Sequence, residues 1–311
     1  MPRYIVTALV SLILTASPSL HAQTSTPPLP PRLTHTTEYF REIASHSFAV
    51  PPGASAFELA RQLTELPPWL ASPDPENRDT LAYTILDVWI RHSQLTDAEL
   101  LALLPSLQQN LTAGIGDSGD DSVFRRSFSA LTLASFAQRD LREPFLSPAQ
   151  YRALLSSAFA YLRDEHDTRG FDPAKGWIHS TAHTADLLAA LAASPHFTPA
   201  DQQTLFAAVE QRLTSAGRIY TYGEQDRLAV ALLVVITRED FQLSSFQSWL
   251  TSVQQDSIVW QNSPPDPVRL ALFENHTYLL EALLARMPSR TPLSPAAAEA
   301  RDAAREALRS R

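Results

Sequence analysis

The chain has 311 residues, of which 44% are apolar, and this fraction excludes wholesale disorder. It contains no cysteine, so disulfides, cysteine-ligated zinc and a thiol nucleophile are excluded. The formal net charge of −8 argues against binding to nucleic acid, which requires a dense surface of lysine and arginine.

The first 22 residues have the pattern of a secretory signal peptide. Arg3 precedes an uncharged and mostly apolar run over 4–16, and Ala22 is a small residue at a plausible cleavage position. The run is shorter than the ~20 residues of a spanning helix, so we expect no stable membrane insertion after cleavage. An uncleaved membrane anchor is the alternative. Residues 23–32 are rich in proline and are predicted to form an extended leader. We therefore expect a periplasmic or secreted bacterial protein.

The remaining chain predicts one helix after another. Ser55, Thr96, Ser147 and Ser244 each stand three residues before Glu or Gln, which is the capping-box pattern of a helix start. Behind each cap, apolar residues recur at intervals of three and four. The predicted helices cover residues 36–47, 55–66, 77–92, 96–111, 122–140, 147–165, 176–193, 198–216, 223–237, 244–255, 265–287 and 294–310.

Short helices joined by brief loops pack as antiparallel neighbours, so the predicted fold class is all-α. The preferred architecture is a stack of antiparallel helical hairpins, a superhelix of the HEAT or armadillo type, because each hairpin buries its apolar face only against the next. A closed α/α toroid is the alternative. The helical, repeat-like domain covers 33–290, and an Ala/Arg-rich C-terminal helix or tail covers 291–311. The most apolar helices are predicted to form an inner layer over 122–140, 176–193, 223–237 and 265–287.

The most specific polar pattern lies in residues 176–186. On a helix, His179, His183 and Asp186 fall within about 60° of one another. Two imidazoles four residues apart, with a carboxylate one turn on, are suited to holding a divalent metal ion. Without a metal, Asp186 would orient His183 as a general base. A buried hydrogen-bond network that ties the inner helix to its neighbours is the third interpretation.

Inner helices that run in the same direction begin at one edge, where polar residues near their N-termini are predicted to converge. Helix N-termini favour an anionic group, because they carry partial positive charge and free N–H donors. The candidate ligand-binding residues at this edge are Asp121, Arg125, Arg126, Trp177, Glu224, Asp226 and Arg227. Considered singly, Asp121–Arg125 and Glu224–Arg227 are better explained as ordinary ion pairs within one helix. The expected ligand is small or polymeric, and either anionic or sugar-like.

Four segments together resemble a known family. They are residues 120–131, 167–170, 175–187 and 222–229, in this order, and the most specific part runs from Trp177 to Asp186. This combination resembles the bacterial family called domain of unknown function 2785, over roughly residues 75–287. The resemblance implies an all-helical fold and brings no established activity, cofactor or catalytic residue. Members of the family are mostly simple cytoplasmic proteins, so the leader of this chain is a departure from them.

Two classes of function follow from these observations. The first is a noncatalytic ligand-binding or scaffold protein outside the cytoplasm, with its site at the polar inner edge. The second is a metal-dependent or histidine-based hydrolase or lyase that acts on an envelope polymer. In that case His183 is the base, His179 is its partner or a metal ligand, and Arg126 or Arg227 holds substrate charge. A divalent metal is the one cofactor that the pattern raises, and the sequence leaves open whether the protein is an enzyme.

Overall fold

The computed structural model describes residues 35–92, 94–261, 264–287 and 293–311, which belong to one compact unit. The predicted signal peptide (1–22) and leader (23–32) lie outside the described residues. The fold of the described part is all-α, as predicted, with twelve α-helices and one two-stranded hairpin. The helices are α1 (Thr37–Ser45), α2 (Ala56–Trp69), α3 (Thr84–Arg91), α4 (Asp97–Asn110), α5 (Ser122–Arg142), α6 (Pro148–Asp164), α7 (Ser180–Ala192), α8 (Pro199–Ser215), α9 (Glu224–Ile236), α10 (Leu243–Gln255), α11 (Pro267–Arg286) and α12 (Pro295–Arg309). A π-helical stretch (Glu76–Tyr83) leads directly into α3, and a 3-10 helix (Asp256–Gln261) follows α10.

Three of the predicted caps set helix starts, whereas the cap predicted at Ser244 is wrong, because α10 already begins at Leu243 and has no side-chain cap. The Ser55 hydroxyl accepts a hydrogen bond from the backbone N–H of Glu58 at 3.1 Å. Thr96 and Ser147 form complete capping boxes, in which the third helical residue returns a hydrogen bond to the cap. These contacts satisfy backbone donors that have no partner inside the helix. Local sequence therefore determines where these helices begin.

The helices form two contacting layers. The inner-layer helices α5, α7, α9 and α11 contact one another in chain order, and α3 packs against α5. Between them, α6, α8, α10 and α12 form a second row of successive contacts. Apolar residues occupy every side of α9 behind its first turn and nearly every side of the second half of α7, and both helices are largely buried, as this pattern predicts. The superhelical or toroidal course of these layers stays a prediction. None of the described helices is both long and apolar enough to span a bilayer.

The predicted helix over 176–193 is wrong at its start. Strand β2 (Gly176–Trp177) pairs antiparallel with β1 (Phe171–Asp172), and Trp177 lies opposite Phe171. The carboxylate of Asp172 accepts hydrogen bonds from the backbone of Ala174 at 2.8 Å and of Lys175 at 3.0 Å, which closes the turn. Because the hairpin holds residues 176 and 177, α7 begins only at Ser180.

Candidate functional site

A cavity of about 420 Å³ lies where α7 and α9 begin and α11 ends. Its volume falls within the range of pockets that hold small molecules. We call it the histidine cavity, and its lining consists of Trp177, His179, His183, Tyr222, Gly223, Asp226, Arg227 and Arg286. The hairpin supplies Trp177, and the beginnings of two inner helices supply the histidines and Arg227. Five of the candidate residues, Trp177, His179, His183, Asp226 and Arg227, therefore lie together in this part of the fold.

His179 caps the N-terminus of α7 in a left-handed backbone conformation, with φ 47° and ψ 33°. The carbonyl of Gly170 holds this conformation, because it accepts from the N–H of Ile178 at 2.9 Å and from that of His179 at 3.2 Å. The ring Nε2 donates to the carbonyl of Tyr222 at 3.0 Å, and the Trp177 ring stacks on the imidazole at 4.3 Å. A non-glycine residue in this region costs on the order of 1–3 kcal/mol, and such strain concentrates at functional sites.

The tautomer of His183 follows from its hydrogen bonds. The Ser127 hydroxyl donates its single proton to the carbonyl of Ile178, so it accepts from His183 Nδ1, at 2.8 Å. Nδ1 therefore carries the proton, and Nε2 carries the lone pair. The ring of Phe128 packs edge-on at 4.9 Å and fixes the imidazole plane. The hydrogen bond that the ring makes to the described residues is at Nδ1, so the lone pair of Nε2 is available to a ligand in the cavity.

Both imidazoles are neutral at pH 7. Burial lowers the pKa of His179 to about 4, and the hydrogen bond to Tyr222 opposes this only in part. Burial also lowers the pKa of His183 well below its usual range, with His179 and Arg227 adding to the effect. Desolvation disfavours the charged form of a histidine, which is why both shifts are downward. The histidines therefore offer hydrogen-bonding groups to a ligand and no positive charge.

The arginines of the cavity each have a carboxylate partner. Arg227 Nη1 donates to both carboxylate oxygens of Asp186, at 2.8 and 2.9 Å. Arg286 Nη1 lies 2.8 Å from Asp226 Oδ1. Burial raises the pKa of Asp186 to about 6, against the opposite effect of Arg227. With its charges paired and its histidines neutral, the cavity carries no excess of either sign.

Asp186 does not take the orienting role proposed for it in the sequence pattern. Its carboxylate binds Arg227, whereas Ser127 holds His183 Nδ1. The expected intrahelical pair Glu224–Arg227 is also replaced, since Arg227 turns to α7. Glu224 is buried, accepts from the backbone N–H of Tyr222 at 2.9 Å, and lies 4.0 Å from His179 Nε2. Burial raises the pKa of its carboxyl group.

Arg126 lies outside the cavity, contrary to the expected convergence. Its side chain is completely buried, and its Nε donates to the carboxylate of Glu165 at 2.5 Å. Nη1 donates to the carbonyls of Ala113 at 3.0 Å and Gly114 at 2.8 Å, and Nη2 donates to the carbonyl of Asp117 at 3.2 Å. Every nitrogen of the guanidinium is thus occupied within the protein, and Arg126 is a structural residue.

Asp121 and Arg125 also lie outside the cavity lining. Asp121 pairs with Lys175 Nζ at 2.6 Å, so it does not form the predicted intrahelical pair. Arg125 is exposed on α5, next to the buried Arg126. A helix of 100° per residue points adjacent side chains in different directions, which separates these two arginines.

Four residues of the site were not predicted from the sequence: Ser127, Tyr222, Gly223 and Arg286. Ser127 and Tyr222 lie within segments of the family resemblance, and that was their only signal. Arg286 is the last residue of α11, whereas the sequence pattern predicted a site from residues near helix N-termini. It lies at the cavity because α11 packs against α9, where Arg286 pairs with Asp226.

No group of three or more His, Asp or Glu side chains is arranged to hold a metal ion in the part of the chain that the structure describes. His179 Nε2 is engaged by a carbonyl, and Asp186 by Arg227. A site built from His179, His183 and Asp186 would need new bonding at both residues. The metal hypothesis stays a prediction.

Residues 111–285 match the family described as "Protein of unknown function (DUF2785)", which is more than half of the chain. The chain belongs to this family. The suspected resemblance is thereby confirmed. Comparisons with curated proteins and with solved structures found no match. The DUF2785 region contains every residue that lines the histidine cavity except Arg286, which lies one position beyond it.

Proposed function

We propose that this protein binds a neutral, polyhydroxylated ring, such as a sugar unit, in the histidine cavity. The observation that carries the proposal is an exposed aromatic ring beside uncharged hydrogen-bonding groups. Trp177 is 43% exposed although its ring stacks on His179. Phe171 and Tyr222 lie beside it, with ring centroids 4.9 and 6.5 Å away, and are similarly exposed. Clustered exposed aromatic rings mark binding surfaces, and the C–H face of a sugar ring stacks on such rings.

The charge distribution favours a neutral ligand over an anionic one. Arg227 and Arg286 are already paired with carboxylates, so an anion would have to compete with Asp186 and Asp226. Hydroxyl groups both donate and accept hydrogen bonds, and they complement the accepting Nε2 of His183. They also complement Arg227 Nε and Nη2, which donate no hydrogen bond among the described residues. A neutral polyol therefore uses the groups that the site leaves available.

The test is a titration of the purified protein with neutral mono- and disaccharides and with their carboxylated counterparts, followed by calorimetry and tryptophan fluorescence. We expect neutral sugars to bind, and Trp177→Ala to weaken binding about tenfold, which corresponds to ~1.4 kcal/mol. Trp260→Ala is the matched control, because Trp260 is 54% exposed and does not line the cavity. Binding of carboxylated sugars alone, or equal affinity in the Trp177 and Trp260 variants, would overturn the proposal.

We also propose that the protein is exported and acts outside the cytoplasm. The support is the charged start, the apolar run over 4–16 and Ala22 at the cleavage position. The test is mass spectrometry of the N-terminus after expression of the full chain in a bacterium. A mature periplasmic or secreted form that begins at Gln23 is expected. An intact N-terminus in the cytoplasmic fraction would contradict it.

One observation favours a histidine-based hydrolase or lyase as the second candidate. Ser127 orients His183 so that an unprotonated Nε2 remains, as a general base requires. The lowered pKa of His183 makes it a weak base, however, since efficient bases have pKa values near the working pH. This argument places binding ahead of catalysis. Release of product from envelope polysaccharide by the wild type, and not by His183→Ala, would establish the enzyme. Equal metal content in these two proteins would end its metal-dependent version.

A further inference from the structure

A second polar cavity adjoins the histidine cavity on the inner layer. Its volume is also about 420 Å³, and it lies among α3, α5, α7 and α9. Arg227 lines both cavities, and Asp186, which Arg227 binds, lines the second. We call this second space the aspartate cavity. The Arg227–Asp186 pair lies at the border between the two cavities.

Like the histidine cavity, the aspartate cavity is lined by paired charges and by uncharged hydrogen-bonding groups. Asp87 accepts from the hydroxyl of Ser135 at 2.6 Å and lies 3.5 Å from Arg91 Nη1, so its charge is partnered. Burial raises the pKa of Tyr83 to about 12, so its phenol stays protonated. Gln138 is half-buried, and its amide makes no hydrogen bond among the described residues. An amide with a free donor and a free acceptor is a suitable partner for vicinal hydroxyls.

The two cavities are one helical turn apart. On α7, His183 lines the first and Asp186 the second; on α9, Arg227 lines both and Val230 the second. One turn of helix advances about 5.4 Å, which is comparable to the spacing of successive rings in a polysaccharide chain. Arg227 Nη1 is used by Asp186, whereas Nε and Nη2 donate to no described residue, so they are available at the junction.

We propose that the two cavities are neighbouring subsites of one groove, and that the ligand is an oligosaccharide of at least two units. This inference rests on the proposed function, and it specifies the substrate class. One unit stacks on Trp177 in the histidine cavity. The next unit lies in the aspartate cavity, where Gln138 and Asp87 hydrogen-bond its hydroxyls. Arg227 contacts the linkage between them.

The test compares affinity with chain length in two neutral series: glucose, maltose and maltotriose, and N-acetylglucosamine with its β-1,4-linked di- and trisaccharide. In at least one series, the wild type should bind the disaccharide at least tenfold more tightly than the monosaccharide. Gln138→Ala should remove this gain and leave the affinity for the monosaccharide unchanged. Gln108→Ala is the matched control, since Gln108 is a half-buried glutamine on α4 that lies outside both cavities.

The outcomes separate this inference from the function on which it rests. If monosaccharides bind and disaccharides bind no more tightly, the second subsite is refuted while the sugar site stands. The same conclusion follows if both Gln138→Ala and Asp87→Asn retain the full gain with chain length. If no sugar of either series binds, the proposed function fails, and the oligosaccharide inference fails with it. Circular dichroism of each variant confirms that it is folded.

Discussion

Replacement of Arg126 by methionine should lower the free energy of unfolding by about 3–5 kcal/mol, because it leaves a buried carboxylate without its charge partner. Arg126 is completely buried, and Glu165 is 2% exposed. Their contact is bidentate, with Nε at 2.5 Å from Oε2 and Nη2 at 3.2 Å from Oε1. Methionine retains much of the volume of the arginine stem, so the loss reports mainly on the charge and the hydrogen bonds.

The magnitude follows from the groups that lose their donor. Besides the Glu165 carboxylate, the carbonyls of Ala113, Gly114 and Asp117 accept from the guanidinium. An unsatisfied buried polar group costs about 1–3 kcal/mol, and relaxation or entry of water reduces the sum over several neighbours. Glu165 also keeps a hydrogen bond from the N–H of Asp167 at 2.8 Å. A loss of about 3–5 kcal/mol is a large part of the 5–15 kcal/mol that is typical of a whole protein.

The assay is urea unfolding followed by circular dichroism. Arg125→Met is the matched control, since it removes the same charge from the adjacent, exposed position of α5, and it should change stability by less than about 0.5 kcal/mol. The double variant Arg126→Met/Glu165→Gln should recover part of the loss, because it removes the unpaired charge. Equal unfolding midpoints for Arg126→Met and Arg125→Met would refute the structural role. Sugar affinity should be unchanged in Arg126→Met under folding conditions, since Arg126 does not line the cavity.

Three further predictions concern His276 on α11 and two backbone positions before α7, Gly170 and His179. Burial opposes the charged form of His276. The carboxylates of Asp256 at 2.6 Å and Glu210 at 2.9 Å accept hydrogen bonds from its ring, however, and raise its pKa above the unfolded value of about 6.5. Its contribution to the free energy of unfolding should therefore be full below about pH 6.5 and be lost as the pH rises through the pKa of the folded state. If the melting temperature of His276→Gln depended on pH in the same way as that of the wild type, this prediction would be contradicted. Gly170→Ala should destabilise the fold by about 1–3 kcal/mol and weaken sugar binding, because the added Cβ would lie 2.5 Å from Glu224 Oε1 and still closer to the Tyr222 ring. A Gly170→Ala variant with the melting temperature and sugar affinity of the wild type would disprove this packing. His179 has φ 47°, and asparagine tolerates this left-handed conformation better than valine does. In urea unfolding, His179→Val should therefore lower the free energy of unfolding by about 1–2 kcal/mol more than His179→Asn. Equal unfolding midpoints for the two variants would show that the backbone is not held in this conformation.

The sequence alone determined the helical elements, because their signals are local. Caps such as Thr96 and Ser147 specify a helix start through contacts only three residues long. The enclosure of α7 and α9 was also predictable, since a helix that is apolar all round must be enclosed. The start of α7 could not be predicted from the sequence, because the hairpin of β1 and β2 depends on pairing between Phe171 and Trp177 and on the turn at Asp172. Such pairing competes with helix formation, and two-residue strands are too short to produce a detectable periodicity of apolar residues.

The side chains of the site were predicted by type, and only the tertiary structure decided their partners. The histidine cavity does contain His179, His183, Trp177, Asp226 and Arg227. The sequence could not show that Ser127, 56 positions before His183, would fix its tautomer, or that Arg227 would leave Glu224 for Asp186 on α7. It also could not separate Arg126 from Arg125, although one is sealed inside the protein and the other faces water. Periodicity and capping act over a few residues, whereas burial and hydrogen-bond partners depend on which helices meet, and packing of the whole chain sets these contacts.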